Sequence, residues 1–221
     1  MTRRNALVWG ATGLVGSYLV RLLVDAPEYE QITVVVRRAM NIQHPKIRQV
    51  VIDFDGTSGL DTATHGAVQD VFCCLGTTMR KAGSEEAFYK VDYTYSMRAA
   101  EFALRHGAKQ FLLVSASGAD ATSRIYYNRV KGSLEDALRK MPFERLVVVR
   151  PSLLLGNRAE FRLGERIAIV LGKVVQYVMV GPLKRVRPIP AEQVAKGLVW
   201  LALHPKKAQE IVENEVLLDI E

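Results

Sequence analysis

Apolar residues fall along this chain in two alternating periods. Short continuous runs, such as Val34-Val-Val36, Val50-Val-Ile52 and Leu146-Val-Val-Val149, are what a strand shows when both faces of its sheet are covered. Runs of this kind predict strands over 5–10, 31–37, 47–53, 69–75, 109–116 and 145–150, with a short late one over 214–219. Helix-length segments between and after them predict helices over 14–24, 85–106, 125–140, 161–178 and 190–203. Pro27 ends the first helix region and Gly107 the long middle one. The β-α-β alternation points to an α/β fold with a doubly wound parallel sheet of the Rossmann type. No repeat, low-complexity tract or linker interrupts the pattern, so residues 1–221 are expected to form a single domain. Within it, residues from about 152 to 205 are expected to contribute a small C-terminal cap on the substrate side. That cap would lie over the carboxyl ends of the strands, where such sheets bind ligands.

Composition narrows the function classes. A chain of 221 residues that is 49% hydrophobic and 24% charged has ample material for one core. The net charge of +7 could suggest nucleic acid, but the basic residues are scattered with no block of five or six. A solvated surface is expected instead, with some of the charge available to an anionic cofactor. Cys73 and Cys74 are adjacent in an apolar run, so on a strand they point to opposite faces. That excludes a disulfide framework and fits buried thiols in a reducing compartment. Met-Thr-Arg-Arg leads directly into the first strand without the apolar core of a signal peptide, so a cytoplasmic location is expected. The apolar stretch from Ile167 to Val180 is broken by Lys173 and Gln176 and is shorter than the ~20 residues that span a bilayer. It reads as a helix covering a pocket or a subunit contact, with attachment to a membrane surface as the alternative. His44, His65, His106 and His204 are dispersed without ligand spacing, so no metal site is expected. The Gly-x-Ser-x-Gly pattern of hydrolases is absent.

The candidate chemistry begins at the first strand. Gly10, Ala11, Thr12, Gly13, Leu14, Val15 and Gly16 follow it and open a helix. The glycines let the backbone turn tightly and approach a pyrophosphate, which the free N–H groups of the helix N-terminus then receive. The second strand ends in Arg37-Arg38, where an NAD enzyme would carry an acidic residue for the ribose hydroxyls. Two guanidiniums there can pair with a 2′-phosphate and stack on adenine, so NADP(H) is expected over NAD(H). Asp53-Phe54 closes the third strand and would flank the adenine. Leu75-Gly76-Thr77 closes the fourth, where glycine allows backbone to approach the cofactor's ribose.

Tyr127 and Lys131 lie four residues apart and so share one helix face. A phenol ordinarily titrates near pH ~10, and a neighbouring ammonium stabilises its anion, which makes it a usable acid or base. The same ammonium can hold the nicotinamide ribose. Ser117, or failing that Ser115, stands at the carboxyl end of the fifth strand, where a hydroxyl can donate to a substrate carbonyl. Tyr126 reads as a packing or lining neighbour. Arg150-Pro151-Ser152 closes the sixth strand, and the proline fixes the chain direction there, so backbone at 151–154 is expected to border the nicotinamide.

These residues resemble those of short-chain dehydrogenases/reductases. The glycine motif at 10–16 is similar to that of the extended and atypical branches, and Val91-Asp92-Tyr-Thr-Tyr resembles the segment where extended members carry Val-Asn. Phe72-Cys-Cys-Leu-Gly-Thr-Thr78, Gly118-Ala-Asp120 and Val130-Lys-Gly132 look like the Tat-interacting-protein branch of atypical members. The likeness runs nearly the full length. It implies NADPH binding, a Tyr127/Lys131 pair, a cytosolic protein and little or no substrate domain. Asp92 departs from the asparagine with which extended members organise a relay water, and Ser117 stands where close relatives can lack serine.

Two functions are therefore expected to compete. One is an NADP(H)-dependent oxidoreductase that moves a hydride between nicotinamide and an unidentified carbonyl or alcohol, with Tyr127 as acid/base. The other is an NADPH-binding redox-sensing or regulatory protein that acts through a protein partner with little or no turnover. The middle helix could equally pair in a homodimer or serve the sheet. Arg158, Arg162, Arg166, Lys184, Arg185 and Arg187 could attract an anionic ligand or simply be solvated. Neither nucleic acid nor a transmembrane segment is expected.

Overall fold

The computed structural model describes residues 3–55, 68–156 and 181–220. Its main sheet contains β1 (Arg4–Trp9), β2 (Tyr29–Val36), β3 (Ile47–Val51), β4 (Asp70–Cys73), β5 (Gln110–Val114), β6 (Arg145–Arg150) and, at one edge, β9 (Gln209–Glu213). All pairings are parallel, in the spatial order β3-β2-β1-β4-β5-β6-β9. The helices are α1 (Leu14–Asp25), α2 (Met79–Ala82), α3 (Glu85–Tyr89), α4 (Tyr95–Arg105), α5 (Tyr126–Arg139), α6 (Ala191–Leu203) and α7 (Asn214–Leu218). A second, two-stranded sheet pairs β7 (Leu154–Leu155) with β8 (Ile189–Pro190). The strand order reverses between β1 and β4, and this switch point is where a crevice opens at the carboxyl ends of the strands.

Both faces of the sheet are covered, as the continuous apolar runs require. Ala6 and Val8 of β1 face one way and pack with Leu19 and Val20 of α1 and Val194 and Leu198 of α6. Leu7 and Trp9 face the other way and join Phe102 of α4 and Leu134 and Leu138 of α5. Each such fully buried Leu or Phe contributes on the order of 2 kcal/mol. α6 falls inside the range expected to cap the site, yet it lies in this core beside α1. Residues 157–180 of that range, including the helix expected over 161–178 and Arg158, Arg162 and Arg166, lie outside the described residues, as does His65.

Three elements differ from the sequence expectation. The strand expected over 214–219 is the helix α7, and the strand is 209–213. Gln-Glu-Ile-Val-Glu looks too polar for a strand, but at the sheet edge it needs only Val212 buried. Short α2 was not anticipated, although Thr78 caps it, accepting from the Lys81 N–H; α3, capped by Ser84 accepting from the Ala87 N–H, opens the range expected to be helical. The uninterrupted helix expected over 85–106 contains a π-turn at Lys90–Thr94, closed by the Tyr95 N–H donating to the Lys90 carbonyl. Asp92 sits in that wide turn and is fully buried. Among the described residues, no helix is long and apolar enough to cross a membrane.

A buried polar network ties the amino ends of the central strands together. Asp70 accepts from Arg4 (2.6 Å), Tyr29 (2.7 Å) and Gln110 (2.7 Å). Arg145 in turn donates to Gln110 (2.6 Å) and to the Leu201 carbonyl (2.7 Å), which links the network to α6.

Candidate cofactor and active site

The turn after β1 admits only glycine at its critical points. Gly10 has φ +78°, and a Cβ there would stand 2.5 Å from the Cys74 carbonyl oxygen at the end of β4. A Cβ on Gly16 would stand 2.1 Å from the Gly10 carbonyl oxygen. Gly13 donates its N–H to that same carbonyl (2.9 Å), and α1 then starts with no side-chain cap and no acidic residue in its first turn. The first N–H groups of α1 are thus open to an anion, and the helix end carries a partial positive charge. Ala11 is buried beneath the turn, Thr12 is exposed, and Leu14 and Val15 begin the helix. Gly156, not singled out in the sequence, borders the same mouth: a Cβ on it would meet the Leu14 side chain at 2.7 Å. Gly10→Ala combines left-handed strain with a backbone clash. It should cost about 1–3 kcal/mol of stability, read by thermal melting.

On the β2–β3 side, the Arg37 guanidinium lies over the Phe54 ring at 5.9 Å from its centroid. Phe54 packs on Trp9 (5.3 Å) and Tyr95 (5.5 Å). Arg38 and Asp53 are exposed, and the Asp53 carboxylate accepts from the Asp55 N–H (3.1 Å). Asp55 is held by Lys90 (2.8 Å) and Tyr95 (3.0 Å), and the Lys90 hydrogen bond keeps its carboxyl below the usual range.

At the end of β4, Leu75 is buried, Gly76 is exposed, and the Thr77 N–H donates to Asp92 Oδ2 (2.8 Å). The other carboxylate oxygen, Oδ1, lies 2.7 Å from Lys131 Nζ in an ion pair that solvent scarcely reaches. A Cβ on Gly76 would sit 3.4 Å from Asp92 Oδ1 and 3.6 Å from Lys131 Nζ, so the pair lies just under this open backbone. Burial works against the Lys131 ammonium, but Asp92 and Tyr127 outweigh it and the net displacement of its pKa is upward. Tyr127 is half-buried one helical turn before Lys131, its ring packed on Phe88 (5.3 Å). Tyr126 donates to the Glu85 carbonyl (2.9 Å), which agrees with a packing part.

The two serines have different surroundings. The Ser115 hydroxyl is buried and donates to Glu135 Oε1 (2.5 Å), which also accepts from Arg150 Nε (3.0 Å). Ser117 is half-buried, and its N–H donates to the Pro151 carbonyl (2.9 Å). Pro151 is buried, whereas both polar groups of Ser152 are engaged by structure: the N–H by Asn214 Oδ1 (2.9 Å) and the hydroxyl by the Arg187 carbonyl. Glu135 escaped the sequence reading, although its spacing offered a signal. Tyr127, Lys131 and Glu135 recur every four residues and share one face of α5. Both cysteines are free, and burial pushes both thiols up, so neither suits nucleophilic work.

Comparison with known proteins places this geometry among relatives. A family model described as "NAD(P)H-binding" matches residues 10–163. The chain is 36% identical over 209 residues to "Protein FMP52, mitochondrial" of Meyerozyma guilliermondii, covering 93% of this chain and 88% of that protein. It is 32% identical over 226 residues to "Protein HTATIP2" of Rattus norvegicus, covering 100% of this chain and 90% of that one. The fold is similar to that of the human epimerase family protein SDR39U1 solved with NADPH, at a TM-score of 0.65 and 16% identity, covering 96% of this chain and 77% of the other. The cytoplasmic expectation is overturned, because the Meyerozyma relative is named as mitochondrial. Free thiols report a reducing environment, which more than one compartment supplies, and bulk composition carries no address.

Proposed function

We propose, from the premise that this chain belongs to the NAD(P)H-binding family in its Tat-interacting-protein-like branch of atypical short-chain dehydrogenases/reductases, that it is an NADP(H)-dependent oxidoreductase. The cofactor would supply a hydride at its nicotinamide ring, exchanged with a carbonyl or alcohol carbon. The residues present fit such a group: Gly10 and Gly16 leave no room for side chains where a pyrophosphate would approach, and the first turn of α1 offers open donors. Arg37 above Phe54 would hold the 2′-phosphate and adenine, with Arg38 and Asp53 beside them. Lys131, under Gly76, would hold the ribose, and Tyr127 would give or take the substrate oxygen's proton. Ser117 would orient that oxygen, since the Ser115 hydroxyl already donates to Glu135. The observation that carries the reading is the glycine turn packed against the end of β4 at the switch point, with the buried Lys131 beside Gly76 just beyond that same strand end.

A second reading, an NADPH-binding sensor working through a protein partner, has one observation in its favour. The Lys131 ammonium is already paired with Asp92, and a paired ammonium offers a weaker field to the phenol beside it. Titration with NADPH and NADH, followed by an aldehyde and ketone panel read by loss of nicotinamide absorbance, separates the cases. Tight NADPH binding with turnover supports the oxidoreductase, tight binding with silence supports the sensor, and absence of binding removes both. Arg37→Ala should narrow the preference for NADPH over NADH by about tenfold, because one charge-assisted contact to phosphate is lost. An unchanged preference would remove Arg37 from the phosphate site.

A further inference from the structure

The Asp92–Lys131 pair has a consequence for which form of the cofactor the site prefers. The carboxylate oxygen and the ammonium are 2.7 Å apart, with side chains 0% and 4% exposed respectively, so their charges cancel in a region that water does not screen. The groups that face Lys131 come from three elements: Asp92 in the π-turn, Cys73 on β4 and Tyr127 on α5. Of these, Asp92 carries the balancing charge. A Cβ placed on Gly76 would be within van der Waals distance of both groups, so a ring approaching that exposed backbone would feel the net charge beside it. An oxidised nicotinamide ring is a cation, and the reduced ring is neutral. A lone buried ammonium would therefore repel one form and leave the other nearly indifferent.

We propose that Asp92 sets the redox-state preference of this site: by closing Lys131 into a neutral pair, it lets the oxidised cofactor bind about as readily as the reduced one. The inference rests on the cofactor reading above and concerns binding alone. At an effective dielectric of about 20, one unbalanced charge at about 10 Å changes an equilibrium by roughly tenfold. Binding of NADP+ and of NADPH, each titrated by calorimetry at pH 7, would be compared in wild type, Asp92→Asn, Lys131→Met and the double variant. Any misfolded fraction enters both dissociation constants alike, so their ratio is insensitive to it. The ratio of the NADP+ to the NADPH constant should rise roughly tenfold in Asp92→Asn, fall in Lys131→Met, and return to within about threefold of wild type when both charges are removed. If Asp92→Asn does not fold, Lys131→Met reads the same quantity with opposite sign. Both forms binding with a ratio unmoved by either single change would overturn this inference and leave the cofactor reading standing. Neither form binding the wild type would overturn the cofactor reading itself.

Discussion

Tyr127→Phe is expected to lower kcat on a carbonyl substrate by about 10²–10⁴-fold, the range that a positioned acid/base supplies. The change deletes one oxygen and keeps the ring that packs on Phe88 at 5.3 Å, so the wall of the site stays filled. The ion pair between Lys131 and Asp92 does not depend on that oxygen. NADPH affinity should accordingly stay within about threefold of wild type, because a lost transition-state contact lowers turnover without touching ground-state binding. Tyr126→Phe is the matched control: that hydroxyl donates to the Glu85 carbonyl, and turnover should hardly change. Steady-state kinetics with fluorescence titration on the three proteins decides the matter. Turnover retained in Tyr127→Phe would assign the proton to another donor.

Asp70→Ala should destabilise the fold by about 3–5 kcal/mol, the cost of removing one partner from a buried charged network. Asp70 is fully buried and accepts from Arg4, Tyr29 and Gln110, so its loss strands three donors at the amino ends of the strands. For a domain of this size the midpoint should fall by roughly 10 °C. Arg3→Ala, which breaks an ion pair between side chains 71% and 58% exposed, should change stability by less than about 1 kcal/mol. Equilibrium denaturation of both variants measures the contrast, and a loss below about 1 kcal/mol in Asp70→Ala would show the network to be dispensable. The same cluster predicts alkaline sensitivity. Burial first, and then the Asp70 carboxylate, push the Tyr29 phenol well up. Above about pH 10 the unfolded phenol ionises while the folded one keeps its proton, so stability present below that pH declines as pH rises. Tyr29→Phe should flatten that decline.

The glycine turn was legible because its requirement is local. A left-handed φ and a backbone approach of 2.5 Å exclude every side chain, whatever surrounds them. Sheet type was legible for a similar reason: strands covered on both faces lose their polar alternation, and the central five show that at every position of Gln110–Val114 and nearly every one of Tyr29–Val36. The C-terminal exchange of strand and helix was not, because an edge strand needs only one buried residue and Val216-Leu-Leu218 mimics a strand run. The engagement of the Ser115 hydroxyl by Glu135 was equally closed to pattern reading. It turns on where Glu135 points, a fact of how α5 lies across β5 and β6.

The order of residues alone determined the alternating layers, the turn that can take only glycine, and the shared helix face of Tyr127 and Lys131, since each follows from backbone sterics or periodicity over a few neighbours. Tertiary structure decided that Lys131 is balanced by Asp92 and that a π-turn delivers that carboxylate beneath Gly76. It likewise decided that α6 belongs to the core. Those outcomes depend on groups distant along the chain meeting where water is excluded, and no local pattern encodes the net charge of such a meeting.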